Sequence, residues 1–443
     1  MKSYRIRTAM LASAILFLYF RSSSAQLLAE PPRNVTAQTE RKPSGDCQPA
    51  SAGAMLDCVL QNHPELRVLT GEIKKLEAEI IRAGQRPNPE MDSRILGGEA
   101  SFMAEAGISH TFETAGKREA RISVAKENLA VARSRISLEK QRIVLDSALD
   151  LVRLRHLFDE ATLLESAEQT YTRAIGRIRS RPALSSELRV NLATYEMAAA
   201  DTGRRSVILR TEAQRLMTHL HLASGVGIQR LESALPNTAR LKWPDPGEPQ
   251  TTPKELQLAR SRAARARAEL QLEEANAYPN LSIGPALEYR QSDDRSSGLF
   301  GGSSRRTELD VGLSFRITLP LFHANHGGQA SARAAVETEH NREAHVAQKV
   351  TSIRRSLIVK YRDSVESLKR TLSGSELNAR QRNLRKAILS GRVSPPAVIE
   401  FHRSMFEYVN GRHKQELAAL NALLAIYALD GRLLEKVKNH EVF

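Results

Sequence analysis

A strictly alternating segment, followed directly by a very long helical pattern, restricts the folds open to this chain. In residues 307–319 every second residue is apolar, and the residues between them are polar, charged or glycine. A period of two predicts a β-strand with one apolar face and one face in water. After residues 320–328 the apolar spacing becomes helical for about sixty residues, which predicts a helix about 90 Å long. The apolar positions of the strand are Leu309, Val311, Leu313, Phe315, Ile317 and Leu319.

The same unit of strand and long helix occurs twice, at a spacing of 210 residues. Residues 110–120 align with residues 320–330, so that Phe112 falls on Phe322, and the alignment continues without gaps for about eighty residues. Such internal periodicity predicts a duplicated fold that is mainly α with a small β part. Each copy comprises a helix, two strands and a long coiled-coil helical hairpin. The first copy is predicted over 52–223, with strands at about 90–112 and the hairpin at 116–222. A connector follows at 224–252. The second copy is predicted over 253–437, with strands at about 279–319 and the hairpin at 327–437.

Smaller features of the pattern complete the predicted organisation. One helix is expected over 52–83, and a polar loop over 291–306. Residues 1–25 have the basic, apolar and small-residue sections of a secretory signal peptide, and 26–51 are expected to form a flexible lead-in. Outside the signal, no apolar run reaches the roughly eighteen residues that a membrane helix needs. Cys47 and Cys58 could pair in an oxidising compartment, or could remain as two free thiols.

The composition argues against nucleic-acid binding and against catalysis. The formal net charge is +15, but basic residues are spread along the helices without interleaved aromatic residues, which does not favour nucleic-acid binding. We find no paired catalytic carboxylates, nucleophile elbow or phosphate-binding loop. His323 and His326 could face a lumen, although two imidazoles without a third ligand bind a metal weakly. We therefore expect no enzyme activity, no cofactor and no metal site.

Strands of about eleven residues with one apolar face are typical of membrane β-barrels. Backbone groups in lipid must all be paired, so the sheet has to close. Four strands are too few, because the smallest barrels have about eight. The edges must therefore be sealed by further copies of the chain. Two copies would give eight strands with a filled interior, whereas three would give twelve strands with room for an aqueous lumen. The long helical hairpins would then extend this lumen as a tunnel.

These features resemble the TolC-type outer-membrane factors over nearly all of residues 52–437. Residues 108–122, with Gly116, Lys117 and Arg118 following a glutamate, are similar to the strand-to-helix junction of the CzcC/CusC-like heavy-metal efflux branch. Residues 277–281 and 318–322, which include Pro320, are similar to the corresponding landmarks of the second half. The resemblance implies a homotrimer with a 12-stranded β-barrel in the outer-membrane lipid of a Gram-negative-type cell and an α-helical periplasmic tunnel. It also implies two protein partners, a periplasmic adaptor (membrane fusion) protein and a proton-driven inner-membrane pump.

The resemblance also assigns roles to individual residues. Gly391 falls on the glycine of the hairpin tip, whereas Arg181 takes that position in the first hairpin and departs from the family. Glu400 falls on a position where the family commonly carries an acidic residue at the periplasmic gate, although it could instead be a solvated helix carboxylate. We also hypothesise that the arginines near both tips bind an acidic adaptor surface, the alternative being ordinary surface arginines. These are Arg177, Arg181, Arg385 and Arg392.

Several alternatives remain open from the sequence. Heavy-metal cations as cargo follow only from the branch resemblance, and a channel for drug efflux or type I protein secretion is also compatible. A periplasmic adaptor would have one hairpin and compact β-domains instead of two hairpins and barrel-type strands. A coiled-coil structural protein of the envelope would leave the apolar face of residues 309–319 without lipid to cover it.

Overall fold

A computed structural model describes residues 47–98, 101–238, 241–249, 251–295, 303–372, 376–377, 379–380, 382–383 and 393–438. All of these residues belong to one unit, Cys47–Phe443. The predicted signal peptide at 1–25 and most of the lead-in at 26–51 lie outside the described residues. Arg385, Gly391 and Arg392 lie outside them as well.

Long helices make up most of the described chain. The helices are α1 (Ala52–Asn62), α2 (Pro64–Ala83), α3 (Lys117–Arg179), α4 (Ser186–Ser224), α5 (Ile228–Leu231), α6 (Lys254–Asn276), α7 (His326–Lys369), α8 (Pro395–Leu429) and α9 (Leu433–Lys438). Within the described ranges, no helix combines the length and apolarity needed to cross a membrane. At about 1.5 Å per residue, the 63 residues of α3 extend about 95 Å.

The strands form one antiparallel sheet with the order β1-β2-β3-β4. They are β1 (Glu90–Gly97), β2 (Ser101–Phe112), β3 (Leu281–Arg295) and β4 (Ser303–Ile317). The first two strands come from the first half of the chain and the last two from the second half, and β2 pairs with β3 across the halves. β1 and β4 are therefore the edges of the sheet, each with one side unpaired in the part of the chain that the structure describes.

The helices pack around α3, which contacts α2, α4, α6 and α8. The main hydrophobic core lies where α1, α3, α4, α8 and α9 meet. The buried residues of α3 are most frequent between Gln141 and Leu164, where the helix passes through this core. The largest fully buried side chains of the core include Met55, Leu154, Leu220, Leu424 and Leu433.

Three expectations from the sequence need correction. The single helix expected over 52–83 is two helices, because Pro64 cannot continue α1 and instead occupies the first turn of α2. Within the range 291–306, expected to be a polar loop, residues 291–295 and 303–306 belong to strands, since β3 and β4 stay paired out to Arg295 and Ser303. The helix of about sixty residues in the second hairpin is also interrupted, because α7 ends at Lys369.

The end of α7 is stabilised by contacts from α8. The hydroxyl of Tyr408 accepts a hydrogen bond from the backbone N–H of Leu372, and the guanidinium of Arg412 donates to the carbonyl of Leu372. The hydroxyl of Thr371 also donates to the carbonyl of Leu368, at 2.6 Å. The bond from Thr371 satisfies a carbonyl of the last turn of α7, which the helix end leaves without an intrahelical partner, and the bonds from Tyr408 and Arg412 satisfy both backbone groups of Leu372 just beyond it. The interruption therefore has its own set of tertiary partners.

Candidate functional site

The sheet has one continuous apolar face, as the alternation in the sequence predicts. The register places Ile95, Ala104, Tyr289 and Leu309 in one row across all four strands. On β4 the apolar side chains are open to solvent, and Val311 is 76% exposed. A large exposed apolar surface of this kind marks a site that contacts a membrane or another protein.

The opposite face of the sheet is polar and carries a link between its two edges. Asp92 of β1 and Arg316 of β4 form an ion pair at 3.3 Å, although two strands lie between them. In a flat sheet three strand spacings already separate the edges by about 14 Å. The sheet therefore curves towards its polar face, and the apolar face is convex.

The junction between β2 and α3 contains the predicted residues Gly116, Lys117 and Arg118. Gly116 precedes α3 with a left-handed backbone (φ 68°) that favours glycine. The ammonium of Lys117 donates to the carbonyl of Tyr278 and to Oδ1 of Asn280, both at 2.5 Å. Nε of Arg118 donates to the carbonyl of Gly84 at 2.6 Å. Lys117 and Arg118 thus tie the start of α3 to the segment before β3 and to the end of α2.

The corresponding junction of the second half is held by Asn325. Its backbone is left-handed (φ 56°), and its side-chain amide donates to the carbonyl and to Oε2 of Glu273 on α6. Pro320 is exposed, as are His323 and His326. These two histidines do not belong to any metal-binding group of three among the described residues.

The first hairpin tip is solvated. Arg177 and Arg181 are exposed near the end of α3, and Arg179 pairs with Glu196 of α4 at 2.6 Å. Since Arg385, Gly391 and Arg392 lie outside the described residues, the arginine cluster at both tips stays a prediction.

Glu400 lies in the second turn of α8, and its side chain is 57% exposed. Its carboxylate pairs with Arg403 at 2.7 Å and accepts a hydrogen bond from the hydroxyl of Ser404 at 3.2 Å. The charge of this carboxylate is therefore partly balanced within α8. Its role at a gate stays a prediction.

Cys47 and Cys58 are joined in a disulfide. Cys58 lies in α1, whose first turn is capped by the hydroxyl of Ser51. The bridge thus fixes the start of the described chain to the hydrophobic core, in which Cys58 is buried.

A buried polar cluster between α3 and α8 was not predicted. His156 and Glu160 of α3 face His413 and Glu416 of α8, and all four are buried. Nε2 of His156 lies 2.9 Å from Oε2 of Glu416, and Nδ1 of His413 lies 2.8 Å from Oε1 of Glu160. The sequence signal was present, because each helix carries a histidine and a glutamate one turn apart within an apolar stripe. What it lacks is any sign that two segments about 250 residues apart meet.

Burial and pairing set the charges in this cluster. Burial lowers the pKa of His156 and so favours its neutral form. Burial alone would raise the pKa of Glu160, but the hydrogen bond from His413 and the nearby Arg153 outweigh it and leave this pKa lowered. The pKa of Glu416 is lowered in the same way, by its hydrogen bonds with His156 and Arg412. Both carboxylates are therefore ionised at neutral pH.

Comparison with known proteins gives a likeness in structure. No protein-family model and no curated protein matches the sequence. A membrane protein from Pseudomonas aeruginosa superposes with a TM-score of 0.66 at 15% identity, over 86% of this chain and 90% of the other. The Campylobacter jejuni CmeC outer membrane channel gives 0.63 at 12% identity, over 86% of each chain. CusC, in a structure concerned with folding and transmembrane channel formation, gives 0.59 at 16% identity, over 87% and 92%.

These similar structures cover nearly the whole described chain, and the last two are described as channels. Their identities are low, so the likeness concerns the fold. It agrees with the fold that the resemblance to TolC-type proteins led us to expect, without distinguishing the heavy-metal branch. The chain therefore has the fold of the bacterial outer-membrane channel proteins.

Proposed function

We propose that this chain is the outer-membrane channel of a tripartite efflux system. Three copies close a 12-stranded β-barrel in the outer membrane, and their helices form a tunnel in the periplasm. The channel is passive and receives its cargo from a periplasmic adaptor and a proton-driven inner-membrane pump. The cargo we propose is heavy-metal cations, as the resemblance to the CzcC/CusC-like branch implies.

The observation that carries this proposal is the curved, open sheet with an exposed apolar outer face. Lipid suits such a face, because the exposure of Val311, Leu313 and Phe315 to water costs free energy. A polar inner face suits an aqueous lumen. The unpaired sides of β1 and β4 suit pairing with neighbouring copies, because lipid leaves no other partner for their backbone groups.

The backbone supports the proposed duplication. Ala115 and Asn325 are the non-glycine residues of the described chain with positive φ, at 54° and 56°. They are 210 residues apart, which is the spacing of the repeat proposed from the sequence. Each lies just before a long helix, so the two halves share an uncommon backbone feature at an equivalent position.

The hairpin ends supply the proposed gate and the adaptor contact. Three copies of Glu400 would form an acidic ring at the periplasmic aperture, and such rings favour cations in other pores. Arg403 balances part of this charge and sets how strongly the ring attracts cations. Arg177 and Arg181, with Gly391 and Arg392 of the second tip, are proposed to contact an acidic surface of the adaptor.

A pair of adjacent substitutions in β4 tests the channel assignment. Leu313 lies on the apolar face, whereas Gly312 lies on the polar face with open space where a side chain would start. An arginine on a lipid-facing strand costs about 2–4 kcal/mol near the bilayer centre, and far less on the lumen side. We expect Leu313→Arg to reduce the amount of assembled trimer in outer-membrane fractions, and Gly312→Arg to leave it near the wild-type level. Equal assembly of the two variants would contradict a lipid-facing apolar face.

Cargo is tested by tolerance assays on a deletion strain. Sensitivity to heavy-metal cations, relieved by the wild-type gene, is the expected result. Sensitivity to lipophilic drugs alone would keep the channel and remove the metal assignment. Complementation with Glu400→Ala, compared with Glu407→Ala further along α8, then separates a specific role of Glu400 from a general effect of losing a carboxylate.

A further inference from the structure

The segment that connects β4 to α7 carries apolar side chains that the described part of the chain leaves uncovered. Leu319, Leu321 and Phe322 are 61%, 77% and 99% exposed, and Phe322 is the most exposed large apolar residue among those that the structure describes. A single exposed apolar side chain is ordinary on a protein surface, but several together beside a larger apolar surface mark a contact site. The segment lies outside the sheet, so the proposed barrel does not by itself account for it.

Both ends of this segment are fixed by contacts with other elements. Before it, Ile317 is paired with Leu281 of β3. After it, the side-chain amide of Asn325 donates to the carbonyl of Glu273 on α6 at 2.9 Å and to Oε2 of the same residue at 2.6 Å. The exposure of the apolar side chains is therefore not that of a free chain end.

The backbone of the segment makes a tight turn between these fixed ends. The N–H of Leu321 donates to the carbonyl of Leu319 at 2.9 Å, which closes a three-residue turn centred on Pro320. The ring of Pro320 restricts its backbone and so limits the conformations of this turn. The turn presents Leu321 and the following Phe322 on the surface, instead of folding them against the protein.

The segment also continues the apolar face of the sheet. At the end of the sheet where α2 and α6 end and α3 and α7 begin, the last row of this face is Phe112, Leu281 and Ile317. Phe112 is 52% exposed, and Tyr278, just before β3, is 60% exposed. Together with Phe322 they place three exposed aromatic side chains at one end of the sheet. Aromatic residues are enriched where membrane proteins pass from lipid to water.

We propose that Leu321 and Phe322 insert into the phospholipid of the inner leaflet of the outer membrane and fix the depth of the barrel there. The inference rests on the proposed channel function, because that function places lipid against the apolar face of β4 and the helices in the periplasm. His323 and His326, both exposed, follow the apolar residues directly and lie at the level of the polar headgroups. The experiment separates this lipid contact from a contact with a neighbouring copy.

Depth-dependent quenching of a single fluorescent label tests the insertion. The two cysteines of the chain are joined in a disulfide, so an introduced cysteine is the only reactive thiol of the purified protein. Phe322→Cys, Leu313→Cys and Val359→Cys are each labelled with a nitrobenzoxadiazole fluorophore and reconstituted in phosphatidylcholine vesicles. The vesicles carry lipids with a nitroxide either near the carbonyl end or at the middle of the acyl chain. Val359 is the matched control, because it is apolar and 58% exposed but lies on α7.

We expect the label of Phe322→Cys to show blue-shifted emission and to be quenched more by the nitroxide near the carbonyl end than by the nitroxide at mid-chain. The label of Leu313→Cys should be quenched more by the mid-chain nitroxide, and that of Val359→Cys by neither. If the Phe322→Cys label is quenched no more than the Val359→Cys label, while the Leu313→Cys label is quenched, the insertion is refuted and the channel function stands.

Two other results would also overturn the inference. Blue-shifted emission of the Phe322→Cys label without quenching would mean that another copy of the chain, and not lipid, covers the segment. An unquenched label on Leu313→Cys would refute the proposed lipid-facing sheet, and with it the inference that rests on it. The failure of the insertion and the failure of the proposed function therefore give different patterns in the same set of samples.

Discussion

His402 is a titratable contact between the two helical hairpins, and it predicts a pH dependence of stability. It lies on α8, and its Nδ1 is 3.1 Å from the hydroxyl of Tyr171 on α3. Both residues border a cavity of about 80 Å³, to which Asp201 and Arg205 of α4 also contribute. Burial lowers the pKa of His402 from 6.5 to about 4, because the protonated ring loses its hydration.

The sign and size of the effect follow from linkage. Between pH 6.5 and 4 the unfolded chain binds a proton at this position and the folded chain does not, so stability rises with pH in this window. The contribution of neutral His402 is thus fully present above pH 6.5 and is lost as the pH falls towards 4. With these two pKa values, the free energy of unfolding decreases by about 2 kcal/mol between pH 7 and pH 5 through this residue alone.

Denaturant unfolding of the purified protein at several pH values measures this contribution. We expect the loss of stability between pH 7 and pH 5 to be about 2 kcal/mol smaller in His402→Phe than in the wild type. The other histidines are present in both proteins, so their titration cancels in the difference. His340→Phe, at an exposed position on α7, should lose the same amount as the wild type. If the wild type and His402→Phe show the same pH dependence, the burial argument is wrong.

Three further perturbations have defined outcomes. Gly284→Val should prevent assembly of the sheet, because a side chain there would overlap the backbone of Ile108, whereas Gly312→Val has open space and should be tolerated; the amount of the proposed trimer on gels measures both. Ala115→Gly should stabilise the protein by about 1 kcal/mol in denaturant unfolding, since it removes a left-handed alanine, whereas Asn325→Gly should destabilise it, because asparagine tolerates this backbone and the substitution removes two hydrogen bonds to Glu273. Cys47→Ser should cost about 2–3 kcal/mol, because it opens a disulfide that closes a short loop of sequence separation 11, and reduction of the wild type should produce the same loss.

The parts of the fold governed by local pattern were accessible from the sequence. The alternation of β4 predicts one apolar face, which the structure shows to be exposed, because the side-chain period of a strand does not depend on distant residues. The junction at Gly116 was likewise marked by a residue type suited to a left-handed backbone.

The parts governed by distant contacts were not accessible. The break after Lys369 is supported by Tyr408 and Arg412, which reach Leu372 from another helix, although the sequence also carries a local signal there, since Ser373, Gly374 and Ser375 are residue types that favour a break. The pairing of His156 with Glu416 depends on which faces of α3 and α8 meet. Pro64 is a local signal of the same kind, because it restricts the residue before it and separates α1 from α2.

Arg412 connects two places that are otherwise separate. Its guanidinium donates both to the carbonyl of Leu372, where α7 ends, and to Oε1 of the buried Glu416. A rearrangement at Leu372 would act on Arg412 as well as on Tyr408, and would redistribute the donors of Arg412 between its two acceptors. A movement of the second hairpin at Leu372 would therefore change the hydrogen bonding of Glu416 inside the helix bundle. A hydrogen-bonded connection through Arg412 therefore links the end of α7 to the buried charges between α3 and α8.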